Sequence, residues 1–110
     1  MQFNVFERLL LRNIMPQIQG WNYAHMKEAR ELIEGLFTEQ EEADLQFEQE
    51  GTRVKWKVAK KDGTPIPQER DIPVSDGLKA KVGKFLKQLG REEHLGFEHY
   101  SLYNKFVEPA

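Results

Sequence analysis

Residues 53–58, Arg53-Val54-Lys55-Trp56-Lys57-Val58, alternate without a break between a cation and an apolar side chain. Successive side chains of a strand point to opposite faces, so this run places Val54, Trp56 and Val58 on one face and Arg53, Lys55 and Lys57 on the other. One face is buried and the other is wet. With Glu50-Gly51 as a hairpin turn, Phe47 opposes Val54, Leu45 opposes Trp56, Glu48 opposes Arg53 and Gln46 opposes Lys55. Apolar then meets apolar and acid meets base, and a slip by one residue destroys all of these matches.

The next turn, Lys61-Asp62-Gly63-Thr64, admits two registers. An Asp-Gly two-residue turn pairs Val58 with Pro67 and points Ile66 into solvent. A longer loop with Gly63 left-handed pairs Val58 with Ile66 and keeps Ile66 inward, and that is the register chosen here. Pro65 and Pro67 remove two N–H groups from the same side of this segment, which makes it an edge strand. The expected sheet has three antiparallel strands in the order 1-2-3, with Trp56 near its centre and inside.

Helical patterns lie on both sides of the sheet. Phe3, Phe6, Leu10 and Ile14 form a helical stripe, widened by Leu9 and Leu11, with Asn4 as cap and Pro16 as stop. The run is far too short to span a bilayer, so it reads as core. Asn22 caps a second helix to about residue 36, with Tyr23, Met26, Ala29, Ile33 and Leu36 recurring at helical spacing. Lys27 with Glu31 and Arg30 with Glu34 decorate its outside, pairs worth about 0.2–0.5 kcal/mol each. Thr38-Glu39-Gln40-Glu41 is a capping box that predicts a helical turn over 39–43.

Beyond the sheet, Ser75 caps a helix over 76–89, ended by Gly90, whose inner face is Leu78, Val82, Phe85, Leu86 and Leu89. A last helix is expected over 97–107, with Tyr100, Tyr103, Phe106 and Val107 inward. The fold class is therefore α+β, a three-stranded antiparallel sheet flanked by two N-terminal and two C-terminal helices. It forms a single domain over 1–110, long enough for a core of its own.

Composition narrows the chemistry. Without a single cysteine, neither a disulfide framework nor a thiolate zinc site is possible, and a reducing cytosol is the expected compartment. No signal peptide opens the chain and no apolar run reaches the length of a membrane span, so a soluble intracellular protein is expected, with no membrane partner. A net charge of −2 excludes a globally basic nucleic-acid binder but leaves room for a local basic patch.

No residue set forms a catalytic, cofactor or metal motif. His25, His94 and His99 have no spacing typical of a zinc helix or a catalytic triad. His94 and Glu98, four apart, offer two ligands if they share a helix, whereas a structural site needs about four. No glycine run cradles phosphate, and Ser75 and Ser101 lie outside any nucleophile-elbow context. The expectation is a protein without enzymatic activity or cofactor.

Charge is segregated instead. From residue 39 to 50 the chain carries six acids and no base, namely Glu39, Glu41, Glu42, Asp44, Glu48 and Glu50. From 53 to 61 it carries five bases and no acid, namely Arg53, Lys55, Lys57, Lys60 and Lys61. As hairpin partners the two blocks neutralise each other across the strands.

The combination of Phe37-Thr38-Glu39-Gln40-Glu41-Glu42, Val54 and Trp56 on a strand, and the closing Leu102-Tyr103-Asn104-Lys105-Phe106-Val107 resembles a group of small uncharacterised proteins encoded in phages and prophages of Gram-positive bacteria. That resemblance covers most of the chain and brings no catalytic residues. It implies a host-cell cytoplasmic setting in which such proteins act by binding a host or phage macromolecule.

Two functions follow. The first is an accessory protein that binds a host or phage protein through the acids Glu39, Glu41, Glu42, Asp44, Glu48 and Glu50. The alternative is nucleic-acid binding through Arg53, Lys55 and Lys57, extended by Lys60 and Lys61. It ranks second because no aromatic side chain shares their face. The unpaired edge of the first strand also permits a weak homodimer, although its charges oppose one, so the chain is expected to be a monomer or a weak homodimer.

Overall fold

The computed structural model describes residues 1–107; residues 108–110, the end of the single domain read from the sequence, lie outside them. In chain order the elements are β1 (Gln2–Phe3), α1 (Val5–Ile14), a 3-10 turn at Met15–Gln17, α2 (Tyr23–Glu34) and α3 (Glu39–Leu45). There follow β2 (Glu48–Glu50), β3 (Arg53–Lys55), β4 (Arg70–Asp71), α4 (Asp76–Arg91), a 3-10 turn at Phe97–His99 and α5 (Tyr100–Phe106). The class is α+β, as expected.

Helix starts follow local chemistry. Asn4, Asn22, Thr38 and Ser75 each accept a hydrogen bond from a backbone N–H in the first turn of α1, α2, α3 and α4. Asn4 with Glu7 and Thr38 with Glu41 close full capping boxes. The turn expected over 39–43 runs on to Leu45, where Gln46 at φ 47° ends it.

The buried faces differ from the expected stripes. Phe3 is fully buried, but on β1 and not on α1, where its ring stacks on Phe106 at 5.9 Å. The inner face of α1 is Val5, Glu7, Arg8, Leu11 and Ile14, while Phe6 remains 44% exposed. Two charged side chains thus occupy core positions, which turns the helix away from the Phe6–Leu10 stripe. In α2 only Ala29 and Leu32 are buried, and Tyr23 and Met26 face outward. In the last segment Leu102 and Phe106 are buried, whereas Tyr100, expected inside, is exposed.

The three-stranded sheet does not form. There are two separate antiparallel pairs, β1 with β4 and β2 with β3. In the β2–β3 hairpin Glu48 opposes Lys55, Gln49 opposes Val54 and Glu50 opposes Arg53, a shift of two residues from the expected register. Gly51, at φ +59°, now begins the turn. Faces and charge matching survive because the shift is even. It arises because α3 takes Leu45 into its last turn, so Leu45 and Gln46 cannot serve as strand residues opposite Trp56 and Lys55. The Leu45 carbonyl accepts from the Lys57 N–H at 2.8 Å instead.

The second turn adopts the chosen register without producing a strand. Gly63 is left-handed at φ +87°, Ile66 N–H donates to the Val58 carbonyl at 2.9 Å, and Ala59 bridges Pro65. Ile66 is buried, but Val58 is exposed, contrary to expectation. A single bridge is all that a segment lacking N–H groups at Pro65 and Pro67 sustains. Trp56 is half-buried at the rim of the core rather than sunk in it. Its ring meets Phe47 edge-on at 6.5 Å and its Nε1–H donates to Gln68 Oε1 at 3.0 Å.

Candidate binding surface

Glu7 and Arg8 are adjacent on α1 and reach in different directions. Arg8, with no exposed side-chain surface, donates to the carbonyls of Leu36 and Gln68, each at 3.0 Å, and to Glu41 Oε2 at 2.6 Å. Its guanidinium also lies over the Phe37 ring, 4.6 Å from the centroid. Arg70 donates to Glu41 and to the Gly35 carbonyl. Burial acts to raise the Glu41 carboxyl. The Arg8 hydrogen bond, the Thr38 N–H and the charges of Arg8 and Arg70 outweigh that and hold it below the ordinary carboxylate value. Glu41, a candidate for partner contact, is thus committed to holding α1, α3 and β4 together.

Glu7 works toward α5. It accepts from Lys105 Nζ at 2.8 Å and from the Ser101 hydroxyl, and Lys105 Nζ also donates to the Gln2 carbonyl at 2.6 Å. Burial again pushes the carboxyl upward, and the hydrogen bonds from Lys105, Ser101 and the Asn4 N–H bring it below its usual range. Sequence reasoning missed both networks. The signal was a charged residue, Arg8, spaced three from Val5 and from Leu11 on what proves to be the inner face.

The remaining acids divide into engaged and open ones. Glu50 pairs with Lys55 at 3.0 Å, Glu42 approaches Arg12 at 3.7 Å, and Asp44 accepts from Gln40 at 3.1 Å with Lys60 at 4.0 Å. Glu39 and Glu48 are exposed and make no ion pair among the described residues. The acids of α3 are therefore balanced chiefly by α1 and β4, and only in part by the hairpin. Of the bases, Lys55 and Lys60 are engaged, while Arg53, Lys57 and Lys61 are exposed with no ion pair among the described residues. The structure brings acids and bases together on one ribbon instead of separating them into two patches.

Beside the ribbon lies a cleft of about 880 Å³. It is lined by Arg53, Lys55 and Trp56 of the ribbon, by Leu9 and Leu10 of α1 with Phe85 and Leu89 of α4, and by His94, Glu98 and His99. A second depression, about 560 Å³, lies between Leu95, Phe97, Tyr100 and Tyr103, and His99 borders both. Phe97 is 99% exposed and Tyr100 71%. These rings were not foreseen as surface, because the pattern there reads as a helix with an inner face. In fact 97–99 is a 3-10 turn, so His94 and Glu98 do not share a helix. His94 Nδ1 approaches Glu92 at 3.5 Å, and His99 Nδ1 accepts from the Gly96 N–H at 2.9 Å.

Among the described residues no group of three or more metal-ligating side chains converges, and no helix is long and apolar enough to cross a membrane. The chain matches no protein-family model, no curated protein and no solved structure.

Proposed function

We propose that this chain is a non-enzymatic accessory protein of the phage or prophage type, acting in the host-cell cytoplasm by binding another protein through the charged ribbon and the adjoining face of α3. The observation that carries the reading is the exposure of both ribbon strands with acids and bases interleaved, Glu48 and Glu50 on β2 against Arg53 and Lys55 on β3. A surface of mixed sign suits a protein partner of complementary mixed sign, whereas phosphates would meet the carboxylates as well as the cations. Glu7, buried, and Glu41, half-buried, are both engaged in ion pairs that hold the fold together.

Nucleic-acid binding is the second reading, favoured by Arg53, Lys57 and Lys61, which have no ion pair among the described residues. One comparison separates the two. Glu39→Lys with Glu48→Lys is expected to abolish capture of a specific protein partner from host extract. If the basic face binds nucleic acid, the same change strengthens binding to a mixed single- and double-stranded panel at low salt. A partner retained equally by the native and the charge-reversed bait counts against the ribbon as the binding surface.

A further inference from the structure

Phe97 is a phenylalanine with essentially no protein contact, on a turn whose neighbours Leu95 and Tyr100 are also exposed. Contiguous exposed apolar surface of this kind marks an interface. Next to it, across the shared His99, lies the cleft whose lining includes Leu9, Leu10, Phe85 and Leu89. A projecting ring and a cleft lined partly by apolar side chains thus sit side by side on one surface. We propose that this surface dimerises with a second copy of the chain about a two-fold axis, Phe97 of each copy entering the cleft of the other.

Three observations select a second copy as the occupant. The first is adjacency: when knob and hole lie on the same patch, a two-fold axis lets both be filled reciprocally and the assembly closes. The second is size. The cleft, at about 880 Å³, has more than the space that a phenyl ring needs. Burying the Phe97 and Tyr100 rings removes roughly 300–500 Å² per copy, more than a third of the roughly 800 Å² that each partner contributes to a standard interface. Phe6, 44% exposed at the cleft, and Leu95 add to that area.

The third is charge. The residue next to the knob, Glu98, is an acid, and the cleft lining carries Arg53, which has no ion pair among the described residues, with Lys55 beside it. Reciprocal docking carries Glu98 beside each knob toward Arg53 of the other copy, so the patch is complementary to itself. This interface differs from the strand-edge homodimer considered from the sequence, and it does not rest on the function proposed above.

Sedimentation velocity across a series from about 1 μM to about 1 mM reads the association directly. The mass is expected to rise from 12.9 kDa to twice that value and stop there. Phe97→Ser, and independently Tyr100→Ser, should raise the dimer dissociation constant at least about tenfold. Both residues are exposed, so the circular dichroism spectrum should not change. Arg53→Glu should weaken the dimer likewise, and adding Glu98→Arg to the same chain should restore it. A mass fixed at 12.9 kDa throughout overturns the proposal. So does a dimer indifferent to Phe97→Ser, or a mass that grows past two copies with concentration.

Discussion

The two ribbons of this protein are similar in size and opposite in circumstance. β1 and β4 pair two residues with two, yet Phe3 of β1 is fully buried and the edges are fastened from several directions. The amino terminus reaches Asp71 at 2.9 Å, Ile72 N–H donates to the Met1 carbonyl at 2.8 Å, and Lys105 holds the Gln2 carbonyl. β2 and β3 pair three with three, but every residue is exposed except Val54, which is half-buried. Their base is held by Trp56 against Phe47 and Gln68. A two-stranded ribbon is marginal by itself, so what each rests on decides its stability. The shorter ribbon is the anchored one, because Glu7 and Arg8 tie its surroundings into the core.

The comparison can be broken at its strongest point. Arg8→Ala leaves Glu41 and the Leu36 and Gln68 carbonyls without a buried donor and is expected to cost about 3–5 kcal/mol, read from urea unfolding. A loss below about 1 kcal/mol would mean that the shorter ribbon is not held by buried charge.

Acid tests the same anchor more gently. Glu7 and Glu41 are held below the ordinary glutamate value in the folded state. The stability they contribute is therefore fully present above that value and is lost as pH falls through their lowered folded values. Wild-type urea midpoints should drop on acidification through this window. Glu7→Gln should lower stability at neutral pH by about 1–3 kcal/mol and show a shallower acid loss. An acid limb as steep in the variant as in the wild type would remove Glu7 from the account.

The exposed ribbon should respond least. Gly51→Ala places a side chain at φ +59° and is expected to cost about 1 kcal/mol. Its effect should be confined to faster amide exchange in β2 and β3, leaving the amides that fasten β1 to β4 protected as before. Spread of that effect to Ile72 would show that the two ribbons open together.

Much of the fold was legible where the chemistry is local. Asn4, Asn22, Thr38 and Ser75 cap the helices assigned to them, and Gly63 takes the left-handed turn with Ile66 inward. The β2–β3 register was off by two because a capping box does not state how far its helix runs, and α3 consumed Leu45. The β1–β4 pair left no trace in the pattern, since two-residue strands have no period to detect. Of the candidate surface, the charged ribbon was visible, whereas Phe97, Tyr100 and the cleft were not. A stripe of aromatic residues at near-helical spacing reads as core until the backbone leaves the helix.

By itself the sequence determined the starts of α1 to α4, the hairpin and the parity of its faces, because caps, turns and alternation depend on residues within a few positions of one another. Only the tertiary structure decided which charges lie inside. Whether an arginine at position 8 faces water or the core depends on Leu36, Glu41 and Gln68 arriving from three distant segments to receive its hydrogen bonds. A buried charge is stable only with all of its partners present, and those partners become neighbours only in the folded chain.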